Sequence, residues 1–218
     1  MAEKSGTTLY GLSTLRQGRR FFLERIMPTR ICKLSELADV RSGHTFRGAL
    51  EHDPAGDVRV LQIKDLRQRA VIEPESLISV RWEGSKNPPS LMAGEIAVVA
   101  RGDTNTAALY REGQRTVATS QFFVVTPKTA EVLPEYLCWM INIPQSQRNL
   151  ERSGSSIQAI SKSSLMDMQI PLPSLETQER LTQLQRLWDE EDQLIAQLHS
   201  NREQMLQGIY QQLIKERP

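Results

Sequence analysis

The chain has 218 residues, with 27 Lys and Arg against 26 Asp and Glu, 39% hydrophobic and only 6% aromatic residues. This supplies one modest core, less apolar than a typical globular protein, so part of the chain is expected to lie outside a compact globule. An apolar run of about 18 residues, CxxC, HExxH, GxSxG, GxxxxGKS/T and GxGxxG are all missing, which closes the routes to a membrane span, a thiolate zinc site and most enzymes, and two isolated cysteines, Cys32 and Cys138, fit a reducing cytosol.

Residues 1–29 carry Arg16, Arg19, Arg20 and Arg25 and lack the apolar run of a signal peptide. They read as a basic, loosely ordered extension, or as an arm that touches phosphates. From Ile31 to Val40 the apolar spacing predicts a short helix through Ala38 with Ser35 as its cap. Arg41–Gly48 is a polar, glycine-bounded loop. Val58–Leu66 alternates and predicts a strand, and Val71–Val80 offers a second. Trp82–Ser90 contains Gly84 and Pro88-Pro89 and is a loop. Leu91–Glu95 turns into Ile96–Ala100, a short buried strand, and Arg101–Asn105 is another polar loop. Leu109–Arg111 and Val117–Thr126 predict strands around a Glu112-Gly113 turn. Pro134–Asn142 is helical, with Pro134 in its first turn, and Gln145–Arg152 continues as a second helical piece up to the break at Ser153-Gly154-Ser155-Ser156. The fold class is therefore α+β.

Pro171 and Pro173 forbid a helix through Ile170–Pro173. Ser174 then caps a helix that runs without proline to about Ile214. As heptads, a falls at 181, 188, 195, 202 and 209, and d at 184, 191, 198, 205 and 212. Seven of these ten positions are apolar. Such a helix is about 55–60 Å long and predicts a coiled coil: its seam needs another domain, a second chain, or its own body folded back against it. The segment holds eight carboxylates against five basic groups, so residues 1–173 carry the excess positive charge, nearly all of it before Cys32. The body is close to neutral, which counts against a nucleic-acid surface by charge alone.

The seam has two polar breaks, Glu191 at d and Arg202 at a. In a parallel dimer each would face itself, like charge against like. An antiparallel dimer in which facing residue numbers sum to about 393 places Glu191 against Arg202, Trp188 against Met205, Ile195 against Leu198 and Leu184 against Ile209, with Leu181 against Gln212. The expected interface is Leu181, Leu184, Trp188, Glu191, Ile195, Leu198, Arg202, Met205 and Ile209, with a twofold axis between residues 196 and 197. The alternative leaves both charges solvated at a seam edge.

Two short motifs carry no chemistry. Asn87-Pro88-Pro89-Ser90 has serine where an adenine-methylating motif needs an aromatic ring to stack on a flipped base. Arg101-Gly102-Asp103 is a coincidental tripeptide. The polar loops offer more. Arg41, His44, Thr45 and Arg47, then Arg101, Thr104 and Asn105, then Ser155 and Gln158, with Lys64 and Lys162 beside them, are groups that read base edges or phosphates. The plain alternative is solvated loops.

Residues Ser153–Leu165, then Met168–Gln178 (MQIPLPSLETQ), resemble the end of a target-recognition domain in the specificity subunits of type I restriction–modification systems. Leu34–Gly43, Gly94-Glu95-Ile96 and Ser120–Val125 agree with that family, so the resemblance spans about residues 30–215. It implies a basic extension over 1–29, a DNA-binding domain over 30–173 and a spacer and dimerisation helix over 174–218. It further implies a non-enzymatic, cytoplasmic reader of one half of a split target on double-stranded DNA. No cofactor would be its own: partner methyltransferase subunits would bind S-adenosylmethionine, and restriction or motor subunits would join the larger assembly. The family's usual two recognition domains and two helices do not fit this length, so the chain is expected to be a half-size form that pairs with itself. The competing readings are an unpaired recognition cassette and a coiled-coil adaptor without a DNA role.

Overall fold

The computed structural model describes residues 30–66, 71–84, 86–102, 105–111, 113–148, 150, 152–153 and 159–215. The basic extension over residues 1–29 lies outside the described residues. The short helix expected from Ser35 through Ala38 is present as one turn, Leu34–Leu37, set between two strands. Strand β1 (Arg30–Lys33) buries Cys32 and exposes Ile31. Helix α1 (Leu34–Leu37) is a single turn that buries both leucines, and strand β2 (Ala38–Ser42) buries Ala38 and Val40 by alternation. The three-residue spacing of Leu34 and Leu37 was real, but one turn of helix satisfies it. Its cap is not Ser35: the Lys33 amide donates to the Glu36 carboxylate at 2.7 Å.

Strand β3 (Val58–Leu61) is shorter than expected, because Asp65 accepts from the Gln62 amide at 2.7 Å and folds Ile63–Leu66 into a 3-10 turn. In the Val71–Val80 stretch only Ile78–Val80 is a strand, β4, since Pro74–Ser76 forms another such turn. Gly94, at φ +87°, turns the chain into β5 (Ile96–Val99), all four residues of which are buried. Next come β6 (Ala107–Leu109), β7 (Thr116–Ala118) and β8 (Phe122–Pro127). The expected single strand over Val117–Thr126 is two strands, and β6 does not pair with β7.

The strands form a four-stranded antiparallel sheet, β2-β8-β5-β6, and a three-stranded sheet, β4-β3-β7, in which β3 and β7 run parallel. Leu61 and Ala118 from the second sheet, with Leu77 just before β4, share one apolar cluster with Ala97, Val99, Phe122 and Val124 from the first. Burying an aliphatic side chain of this size contributes about 1.5–3 kcal/mol. The other side of the three-stranded sheet buries Val58, Val60, Val80 and Val117 under Phe46, Leu50 and Trp82. Helix α2 (Pro134–Asn142) packs on β6, and the Asn142 side chain acts as a strand partner for Ala107, accepting from its amide and donating to its carbonyl, both at 2.8 Å. Of the Gln145–Arg152 expectation only α3 (Pro144–Gln147) is helical; Arg152–Ser153 is a strand, β9, paired with β10 (Ala159–Ile160). Helix α4 (Lys162–Met166) is capped by Ser161, whose hydroxyl accepts from the Ser164 amide at 3.0 Å.

Strand β11 (Gln169–Leu172) contains Pro171, which a two-stranded ribbon tolerates, and pairs antiparallel with β1 from Arg30↔Leu172 to Lys33↔Gln169. Helix α5 (Leu175–Lys215) follows, 41 residues and about 60 Å long. Ser174 caps it, its carbonyl accepting from the Gln178 amide at 3.0 Å. Gln178 itself is fully buried: its amide oxygen accepts from the Leu133 N–H at 2.9 Å and its nitrogen donates to the carbonyls of Glu131 and Pro173 at 2.8 and 3.0 Å. The chain divides into two units after this residue. In the second unit Leu181 and Leu184 are half-buried, and every apolar side chain from Leu187 to Ile214 is exposed. The described residues contain no helix long and apolar enough to cross a membrane.

Candidate nucleic-acid interface

Strand pairing decides which loops meet. The C-terminal ends of the parallel strands β3 and β7 lie side by side, Leu61 opposite Ala118. The C-terminal ends of β2 and β5 both lie against the start of β8, where Ser42 faces Phe123 and Val99 faces Phe122. Four loops therefore leave the two sheets at one rim: those after β2, β3, β5 and β7. Hydrogen bonds tie them together. The Gly43 amide donates to the Phe122 carbonyl at 2.9 Å, that of His44 to Ala118 at 2.8 Å, that of Thr119 to Leu61 at 3.1 Å, and that of Ala100 to Gln121 at 2.8 Å. Strand β10 joins them, since Ile160 donates to Ala100 at 2.9 Å and Arg101 bridges Ala159. A Cβ on Gly43 would sit 2.1 Å from the Thr119 carbonyl oxygen, so glycine is what allows the β2 loop to seat there.

This rim carries five of the eleven polar residues expected from the sequence. Thr45 and Arg47 are exposed in the β2 loop, Lys64 in the β3 turn, Arg101 after β5, and Lys162 after β10. No ion pair engages Arg47, Lys64, Arg101 or Lys162 among the described residues, whereas Arg30, Lys33, Arg81, Arg111 and Lys128 each have a carboxylate partner. Cations left without counter-charges are open to an anionic partner.

Three expected residues are placed otherwise. Arg41 lies on β2 rather than in a loop, and its guanidinium donates to Glu95 at 3.0 Å and to the Ser90 carbonyl at 3.3 Å. Glu95 is buried and accepts twice more, from the Met92 amide at 2.9 Å and the Thr126 hydroxyl at 2.6 Å. Arg41 thus neutralises a buried carboxylate. The His44 ring turns onto Phe46 and Trp82, each centroid 4.9 Å away, and takes part in packing. Asn105 is 2% exposed and donates to the Val99 carbonyl at 3.0 Å, so it holds the β5–β6 connection and cannot reach a partner. Thr104, Ser155 and Gln158 lie outside the described residues. Among the described residues no cluster of His, Cys, Asp or Glu is arranged to hold a metal ion.

Ser120 and Gln121 were not expected here. They are exposed at the tip of the β7–β8 turn, at the centre of the rim. The signal was the polar triplet Thr119-Ser120-Gln121 between two apolar runs, which the strand assignment absorbed. On α5 the expected seam residues lie along one stripe, and Leu187, Leu194, Leu206 and Leu213 widen it at the flanking g and e positions, which attention to a and d alone missed.

A family model described as the type I restriction modification DNA specificity domain matches residues 29–200. Among solved structures, the S subunit of a type I restriction–modification system from M. genitalium superposes with a TM-score of 0.51 at 17% identity, over 74% of this chain and 39% of that one. The HsdS subunit from Thermoanaerobacter tengcongensis gives 0.54 at 14% identity, over 83% and 48%. A chain from a structure on complex assembly and conformational transition of the type I R-M system gives 0.59 at 16% identity, over 86% and 50%. The chain thus spans half or less of the length of each, and at these identities the likeness is one of fold. A search of curated proteins finds no match.

Proposed function

The chain belongs to the type I restriction–modification DNA specificity family, and from that premise we propose that it is a non-catalytic subunit that reads one half of a bipartite target on double-stranded DNA. The observation that carries this reading is the rim, where the loops after β2, β3 and β5 present Arg47, Lys64 and Arg101, and the segment after β10 presents Lys162, without ion-pair partners among the described residues. Loops fixed at their roots by buried strands can hold side chains in register with base edges, while their cations contact phosphates. With a net charge of only +1, affinity depends on this local concentration of charge.

The exposed apolar stripe of α5 supports a second element of the proposal, an antiparallel homodimer in the register that pairs Glu191 with Arg202. Two rims at opposite ends of a paired helix suit a target split in two. The helices would also dock methyltransferase subunits, which bring S-adenosylmethionine, with restriction or motor subunits joining them, all in the cytoplasm.

The test is binding of the full chain, with its modification subunit, to a randomised duplex library. A sequence-specific target is expected. Arg47→Ala and Arg101→Ala should each weaken binding by about 1–3 kcal/mol for a bidentate base contact, or lower the salt slope by about one for a phosphate contact. Wild-type binding by both variants would remove the rim from the interface.

A further inference from the structure

We infer that Gln121 is a specificity-determining residue of the rim, reading an adenine in the major groove; the inference rests on the DNA-recognition reading above. The β7–β8 turn carries the chain from one sheet to the other in three residues, Thr119, Ser120 and Gln121. The Phe122 amide closes it on the Thr119 carbonyl at 3.0 Å. Its roots are buried, with Thr119 at 8% and Phe122 at 0% exposure, while Ser120 and Gln121 face solvent. Loops from β2, β3 and β5 all hydrogen-bond to this turn or its roots, through Gly43, His44, Leu61 and Ala100. Gly43 packs so closely on Thr119 that no side chain fits between them. The backbone of this turn is therefore held by all three neighbouring loops, Gln121 through its carbonyl, and little backbone ordering entropy remains to be lost there on binding.

Chemistry separates Gln121 from its neighbours. Arg47, Lys64 and Arg101 are long cations that serve phosphates or the paired N7 and O6 acceptors of guanine. Gln121 has one amide, and no hydrogen bond engages it among the described residues. Its nitrogen can donate to adenine N7 while its oxygen accepts from the adenine N6 amino group, a bidentate pair that no other base edge offers. A short side chain on a fixed root can hold that geometry, which a mobile loop cannot.

The full chain with its modification subunit is challenged with a randomised duplex library, as wild type, Gln121→Ala and Gln121→Glu. The expected result for Gln121→Ala is loss of adenine preference at one position, by about tenfold or more, with the other positions and the salt slope unchanged. Gln121→Glu should turn the same position towards cytosine, whose N4 donates to a carboxylate. An unchanged target for both variants overturns the inference and leaves the DNA reading standing. Uniform weakening at every position also overturns it, by making Gln121 a backbone contact. A wild-type chain with no sequence preference overturns both.

Discussion

Glu95 shows how one side chain can stabilise a whole region. Its buried carboxylate joins β2, the turn before β5 and strand β8 through Arg41, Met92 and Thr126. Glu95→Ala would leave the Met92 amide and the Thr126 hydroxyl without their acceptor and Arg41 without its counter-charge. It is expected to cost about 2–4 kcal/mol, read from the midpoint of urea unfolding. Tyr136 sets a limit on alkaline stability. Its hydroxyl donates to the Pro171 carbonyl at 2.7 Å, and burial pushes its phenol up to about 12. The folded state thus favours the neutral phenol. Below about pH 10, where an unfolded tyrosine is still neutral, the contribution is complete; between there and about pH 12 it is lost as the unfolded chain ionises first. Tyr136→Phe should lose less stability across that window in denaturation curves taken from pH 8 to 12.

At the scale of elements, the proposed pairing of α5 makes a prediction that local sequence already contains. Glu191→Arg and Arg202→Glu should each weaken dimerisation, and the double exchange should restore most of it, as measured by sedimentation equilibrium. Normal dimers from the single variants would place both charges outside the seam. The heptad spacing, the prolines before the helix and the Ser174 cap made α5 legible, because each acts within a few residues. Strands β5 and helix α2 were legible for the same reason. Thr119 shows where local reading stops. Its polar triplet divides what alternation presents as one strand, and β7 and β8 then pair in different sheets, a choice set by partners far along the chain. Asn105 teaches the same lesson for the interface: its polarity suggested a contact residue, but only the fold reveals that Val99 consumes its amide. Gln178 reads as an ordinary polar helix residue and is a fully buried anchor with three bonds.

For the whole molecule, helix length becomes a ruler under the proposed antiparallel pairing. One heptad inserted between residues 196 and 197 preserves every facing pair, including Glu191 with Arg202. It moves the two helix starts about 10 Å further apart, roughly three base pairs at ~3.4 Å each. The half-site sequences should stay the same while the gap between them grows by that amount, and methyladenine sequencing reads both. An unchanged gap would show that something else measures the distance. The β1–β11 ribbon has a different consequence. Arg30 stands opposite Leu172, so the described part of the sheet-bearing unit begins and ends on neighbouring, hydrogen-bonded strands. A unit whose doorway in and doorway out coincide can be transplanted: a fold of similar size, spliced in behind the same ribbon and offering Gln178 the backbone partners that Glu131 and Leu133 supply, hands the chain on to Ser174 at the same place. New sequence preferences could then be acquired wholesale, by swapping the rim together with its scaffold while leaving the helix untouched, rather than by changing one contact at a time.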